Sequence, residues 1–342
     1  MNSFRYYYGS VIFTVLTLCF GFGYGLYAYD NIALAIGVVG IMVALGVLET
    51  SLSFDNAVAN ARVLKDMTPL WQHRFLTWGM LIAVFGMRIV FPILIVSLTS
   101  GISVFAALSM AMNDPQLYAD TLTAAHIAIA GFGGAFLFLV AFNYFFDVEK
   151  EVHWVKYVEE KLSKLGMIES VAVVFTLLIL VGFALQQPTK DIAWTLLFSG
   201  IMGIVTHEIV KGIGDLLSVE DSTTAVAKTG LASFLYLEVL DASFSFDGVI
   251  GAFVLSTNIF IIAGGLGIGA MFVRSMTIHL VEANTLSEFK YLESGAFWSI
   301  LLLAAIMLTS TLFHIPEAIT SFLSVLFIGL AVAHSIIEKR RS

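Results

Sequence analysis

Ten apolar runs of about 20 residues fill most of the chain, and that length matches the thickness of hydrocarbon that a helix must cross. They fall at approximately 10 to 29, 31 to 54, 75 to 98, 125 to 146, 168 to 186, 192 to 210, 230 to 254, 258 to 281, 294 to 313 and 316 to 336. The sequence therefore predicts an all-α polytopic membrane protein with about ten transmembrane helices. Composition agrees: 59% of residues are hydrophobic and 12% charged, against roughly 25% charged in a soluble domain. A formal net charge of -8 leaves no basic surface for a nucleic-acid partner. The lone Cys19 cannot form an internal disulfide. The first run follows Arg5 like a signal peptide, but it is too long and lacks a clear small-x-small cleavage site, so it reads as the first span.

Orientation follows from Lys and Arg. Alternate connections carry Arg62, Lys65 and Arg74, then Lys150, Lys156, Lys161 and Lys164, then Lys211 and Lys228, then Lys290, and the tail ends in Lys339, Arg340 and Arg341. The intervening loops hold only Lys190. Both termini are thus expected in the cytoplasm, the membrane being a bacterial inner (plasma) membrane. Between the fourth and fifth spans, Val148, Val152, Val155, Val158, Leu162 and Leu165 recur at steps of four and three. That stripe predicts a cytoplasmic connector helix over about 147–166. The outer loop 99–124, with MNDPQLYAD, reads as an ordinary connector with turn residues.

Two of the spans carry nearly the same polar sentence. VLETSLSFDNAV in the second aligns with VLDASFSFDGVI in the seventh, matching Glu49 to Asp241, Ser51 to Ser243, Ser53 to Ser245 and Asp55 to Asp247 at one constant offset. Five spans separate the copies, an odd number, so they cross the membrane in opposite directions. The chain is read as two inverted repeats of about five helices, 1–166 including the connector and 167–342. Such folds bind their substrate near the bilayer midplane, on helices that are often broken. In a straight helix Glu49 and Asp55 point about 120° apart. Local unwinding would turn both to one cavity, with Ser51, Ser53, Ser243 and Ser245 bonding the freed backbone and Gly248 tolerating the distortion.

A bare carboxylate at the bilayer centre costs about 2.5 to 3.5 kcal/mol even on the lenient scale. Arg88 and Arg274, each one span after a motif, are candidate partners for Glu49, Asp55, Asp241 and Asp247. Two cations against four acids leave a deficit that one divalent ion closes. The donors are oxygens, without His or Cys, which disfavours zinc and copper and suits magnesium, calcium or manganese, with Mn2+ as the favoured substrate and Ca2+ or Mg2+ as alternatives. Interhelical glue is the bland alternative, but glue alone would not require the same pattern twice.

At these residues the chain resembles the TerC/Alx integral membrane family. ETSLSFDNAV is similar to that family's Glu-x-x-Leu-Ser-x-Asp-Asn signature, and LEVLDASFSFDGVIGAFVLSTNIFII to its partner element. The resemblance is specific over roughly 45–100 and 230–300, and it looks like a divergent branch of the kind catalogued only as a domain of unknown function. It implies metal-site roles for Glu49, Asp55 and Asn56 and for Glu238, Asp241 and Asp247, and it aligns Arg274 with the arginine after the second element. Where the family usually has Ser and then Pro, this chain has Gly248 and Gly251. The implied activity is divalent cation transport, chiefly manganese efflux, with tellurite resistance as the historical label.

The expected function is therefore proton-coupled export of a divalent cation, because carboxylates that lose a metal in a desolvated site are neutralised by protons. The expected partners are the lipid bilayer, metal ions and protons, and a homo-oligomer or larger membrane complex is compatible. One alternative is a membrane partner that supplies metal to exported enzymes or belongs to a stress-resistance complex. A remoter one is an intramembrane hydrolase, against which no water-activating His accompanies the acids. A zinc-peptidase reading of His207 and Glu208 fails because Lys211 stands where the second His is needed, and a boundary salt bridge with Lys211 is expected instead. His126, His279 with Glu282, Glu293, and His314 with Glu317 are read as interfacial or solvated.

Overall fold

A computed structural model describes residues 3–218, 223–283, 285–313 and 315–340. Its principal helices are α1 (Tyr8–Tyr29), α2 (Ile32–Leu52), α3 (Phe54–Leu64), α4 (Pro69–Ser100), α5 (Val104–Asn113), α6 (Pro115–Ala124) and α7 (His126–Phe145). They continue with α8 (Lys156–Leu165), α9 (Val171–Ala184), α10 (Lys190–Ser218), α11 (Thr223–Leu255), α12 (Ile259–Glu282), α13 (Leu292–Thr309) and α14 (Glu317–Lys339). No strand occurs among the described residues. Among the described residues eight helices are long and apolar enough to cross a membrane, α9 is a shorter apolar helix, and α11 carries the seventh apolar run. The protein is an all-α polytopic membrane protein. Loop 99–124 differs from the expected connector: it forms α5 and α6. Asp114, read as a turn residue, caps α6 by accepting from the Leu117 N–H, and Pro115 fits the first turn where no donor is needed.

The chain forms two compact units that interleave along the sequence. The first comprises Met1–Ala57, Gln72–Ala125 and Phe244–His279. In it α1 packs on α2 so closely that a Cβ on Gly25 would lie 2.7 Å from the Ala35 Cα. Val38, Met42 and Ile261 form one apolar cluster, and Val84, Ala270 and Met271 another. Ser10 Oγ donates to the Met271 carbonyl at 2.7 Å and meets Ser275 Oγ at 2.6 Å, which ties α1 to α12. Asn31 caps α2 through the Ala33 and Leu34 N–H groups.

The second unit comprises Val58–Trp71, His126–Ser243 and Leu280–Ser342. In lipid, helices associate through close backbone approach and interhelical hydrogen bonds rather than through a hydrophobic drive. Accordingly α7 lies against α10, where a Cβ on Gly203 would stand 2.3 Å from the Phe132 carbonyl oxygen. It lies against α13 through Gly133 and Gly134, which face Met307 and Leu308. At one end of this packing Arg62 pairs with Glu293 at 2.5 Å and its guanidinium covers the rings of Tyr144 and Phe297, at 4.6 and 5.2 Å. Tyr144 and Phe297 stack 3.9 Å apart, and Lys150 Nζ lies 4.1 Å from the Tyr144 centroid.

The connector corrects the apolar stripe read from its sequence. The helix is confined to α8, and Val148, Val155 and Val158 are exposed. The position it buries completely is an acid, Glu159. Its carboxylate accepts from Lys150 Nζ (2.5 Å), the N–H groups of Trp154 (3.2 Å) and Val155 (3.0 Å), and Trp298 Nε1 (2.9 Å). Four donors outweigh an apolar stripe because they satisfy both the buried charge and the open first turn of α8.

Burial alone raises the Glu159 pKa, but the hydrogen bonds from Lys150, Val155 and Trp298 outweigh it and leave the group lowered from 4.5. Its folded value lies below its unfolded one, so its stabilisation is full above pH 4.5 and is lost as pH falls through the folded value. Lys150 is protonated in both states in that window and contributes nothing to the change. Glu159→Gln is expected to lower stability at pH 7 by about 3 kcal/mol. It should also shrink the loss of melting temperature between pH 7 and pH 3 relative to wild type, measured by thermal unfolding in detergent. Equal acid sensitivity in the two proteins would contradict the assignment.

Candidate functional site

The first motif breaks its helix where the spacing requires. α2 ends at Leu52, Ser53 leaves the helical conformation at φ -102° and ψ 19°, and α3 begins at Phe54. Glu49 lies just before the break, with Asp55 and Asn56 just after, and all three are buried. The Glu49 carboxylate receives a short hydrogen bond from Arg88 Nη2 and another from Ser53 Oγ at 3.4 Å. Two glycines make the room it occupies. A Cβ on Gly269 would fall 2.4 Å from the Glu49 Cβ, and one on Gly248 would fall 2.8 Å from Glu49 Oε2. Gly248 therefore admits the carboxylate rather than relaxing a break, and a Ser in its place would collide with it. Asp55 Oδ1 accepts from the Asn56 N–H at 2.9 Å.

Both arginines work on α4. This helix is wound as π-helix over Phe75–Gly79 and Ile82–Val90, a form that is rare and frequent at functional sites. π turns displace carbonyls from the regular ladder, and the arginines serve them. Arg88 Nη1 donates to the Ala83 carbonyl at 2.5 Å. Arg274, on α12, donates to the carbonyls of Phe75 (3.1 Å) and Gly79 (2.9 Å), with its guanidinium 3.8 Å over the Phe75 ring. Arg88 thus takes the expected carboxylate partner, and Arg274 gives two donors to the backbone of α4.

The second motif lies on α11, which is continuous from Thr223 to Leu255, so the break expected there is absent. Within the second unit Glu238 and Asp241 are buried, three residues apart and hence on neighbouring faces. Ser243 Oγ donates to the Val239 carbonyl at 3.0 Å, which completes an intact turn. Ser51 is exposed and does the same with the Val47 carbonyl at 2.8 Å. The expected bonding of freed backbone groups by Ser51 and Ser243 is thus corrected: both serve regular turns, because the one-residue break at Ser53 leaves the ladder before it intact and the second motif is unbroken. Ser245 is buried in the first unit. The side chain of Asp247 lies outside the described residues, as do His314 and the side chain of Glu317. Among the described residues no three His, Cys, Asp or Glu side chains come together to hold a metal ion.

Other polar residues find partners that spacing alone does not reveal. His207 bonds Glu208 (3.0 Å) and Asn143 (3.3 Å) and sits edge-on to the Phe136 ring, rather than pairing with Lys211 as expected. It points into the unit while Lys211 is exposed. Both line a cavity of about 490 Å³ with Asn143, Asp147, Ser233 and Tyr236. His279 meets Tyr7 Oη at 3.2 Å and stacks on Tyr6, His126 meets Ser310 Oγ at 3.1 Å, and Glu293 pairs with Arg62.

A family model described as a protein of unknown function, DUF475, matches residues 54–342. The chain belongs to the DUF475 family. The DUF475 match opens at Phe54, inside the first motif, and so takes in Asp55, Asn56, both arginines and the whole second motif. A domain of unknown function agrees with the sequence reading, and the resemblance to TerC/Alx is one of motif residues alone. No curated protein and no solved structure matches the chain.

Arg88→Met would leave the Glu49 carboxylate buried without its guanidinium and is expected to cost about 3 to 5 kcal/mol. The double change Arg88→Met with Glu49→Leu should cost less than the sum of the single changes, giving a coupling of about 2 kcal/mol in a detergent unfolding cycle. Strictly additive losses would show that the pair contributes nothing. Gly248→Ser should destabilise by about 1 to 3 kcal/mol, and Glu49→Ala should relieve that penalty.

Proposed function

We propose that this protein carries a divalent cation across the membrane, manganese first among candidates, with protons moving the other way. What supports the reading is a helix interruption at Ser53 in mid-motif, flanked by buried Glu49, Asp55 and Asn56. A chain retains acids at such a position when a cation or proton compensates them. Glu238 and Asp241, buried on α11, would supply the second repeat's ligands together with Asp247. All are oxygen donors, as hard divalent ions require.

Within this reading the residues divide the work. Asp55 and Asn56 offer a carboxylate and an amide at the start of α3, next to the irregular backbone conformation of Ser53. Glu49 is the charge-balancing member: Arg88 holds it, and it reaches an ion only when the guanidinium gives way. The inverted repeat, cytoplasmic termini and a bacterial inner membrane complete the proposal, and they rest on motif symmetry and the distribution of Lys and Arg.

Purified protein in vesicles should move Mn2+ against a proton gradient. Asp55→Asn and Asp241→Asn should each weaken Mn2+ binding by about tenfold or more in calorimetry, within the range seen when a metal site loses a supporting group. Vesicles without proton-linked flux of Mn2+, Ca2+ or Mg2+ would overturn the proposal. Flux that appears only when a second membrane protein is present would favour a partner role in a complex.

A further inference from the structure

The part of α3 that belongs to the second unit carries an amide that the motif reading passes over. Asn60 is 1% exposed, and among the described residues neither its Nδ2 nor its Oδ1 has a hydrogen-bond partner. Structural asparagines in this protein look different. Asn258 Nδ2 donates to Tyr24 Oη at 2.6 Å, Asn143 meets His207 at 3.3 Å, and Asn31 caps α2. Interhelical glue requires a partner on another helix, and among the described residues Asn60 has none. Its neighbours along α3 are Val58, Ala59 and Ala61, all buried and without polar side-chain atoms. A buried amide with neither polar atom satisfied is costly, and an apolar residue of the same shape would serve packing better.

The register of α3 assigns it a use. Asn60 follows Asn56 by four residues on one continuous helix, which sets the two on the same face about 6 Å apart along the axis. We propose that Asn60 is a further ligand on the ion's route, a neutral station whose amide oxygen takes the divalent cation, or a water it carries, one turn beyond Asn56. This rests on the transport reading and deepens it. An amide oxygen suits a hard cation, and a neutral ligand holds the ion more weakly than a carboxylate. Conduction needs that combination, since binding must be strong enough to admit an ion and weak enough to release it.

The test compares wild type with Asn60→Leu, Asn60→Ala and Asn60→Asp, as full chains in vesicles, with Mn2+ flux, Mn2+ calorimetry and melting temperature measured on each. Asn60→Leu is expected to melt higher than wild type, to keep Mn2+ affinity within about threefold, and to slow flux by about tenfold or more. Asn60→Ala should slow flux likewise without added bulk. Asn60→Asp should tighten Mn2+ binding and also slow flux, because a charged station releases the ion slowly. Wild-type flux in Asn60→Leu or Asn60→Ala would overturn the proposal while the transport reading stands, and would mean that the amide holds only a structural water. A wild-type protein that moves no divalent ion would defeat the transport reading first and this proposal with it.

Discussion

A carboxylate among apolar helices is tolerable only where charge and hydrogen-bond donors are supplied at the same depth, and in the first unit Arg88 supplies both to Glu49. Much of the local architecture serves that pair. Arg88 can reach Glu49 from a stretch of α4 wound as π-helix, and its second amino group secures a carbonyl of the same stretch. Gly248 and Gly269 leave out the atoms that would exclude the carboxylate. Arg274 steadies the other π segment through Phe75 and Gly79. Removing the pair would leave two glycines and a distorted helix without a physical reason.

The second unit solves a related problem with different chemistry. Glu159 lies outside the apolar runs yet is completely buried, and it survives by collecting four N–H donors from the connector and α13. Beside it Arg62 and Lys150 approach the faces of Tyr144 and Phe297, so cations and aromatic rings share the boundary where α3, α7 and α13 meet. Arginine suits this position because its flat guanidinium stacks on rings while its charge pairs with Glu293 at 2.5 Å and Asp147 at 4.0 Å. α3 therefore carries the motif acid Asp55 in one unit and this anchoring arginine in the other.

The two motifs are alike in letters and unlike in backbone. The first is interrupted at Ser53 and the second is continuous through α11, although each carries its acids and hydroxyls in the same order. Composition does not separate them. The difference lies in what approaches each helix: at Glu49 an arginine, a serine hydroxyl and two glycine faces converge. Ser243 and its counterpart Ser51 each bond their own turn, so the hydroxyls at that position do not distinguish the copies.

The sequence by itself determined that the chain is helical and membrane-spanning, because hydropathy over about 20 residues is a local property that lipid enforces on each segment. It also exposed the paired acidic motifs and Arg88 as a partner for them, since charges stand out against an apolar background. Tertiary structure decided which polar groups are consumed by packing and which remain for chemistry. Arg274 braced the α4 backbone, Gly248 became a clearance for Glu49, and Val148, Val155 and Val158 stayed outside while Glu159 went in. Each of these depends on atoms from segments distant in sequence, and periodicity, which reports only one helix at a time, carries no record of what a second helix places against it.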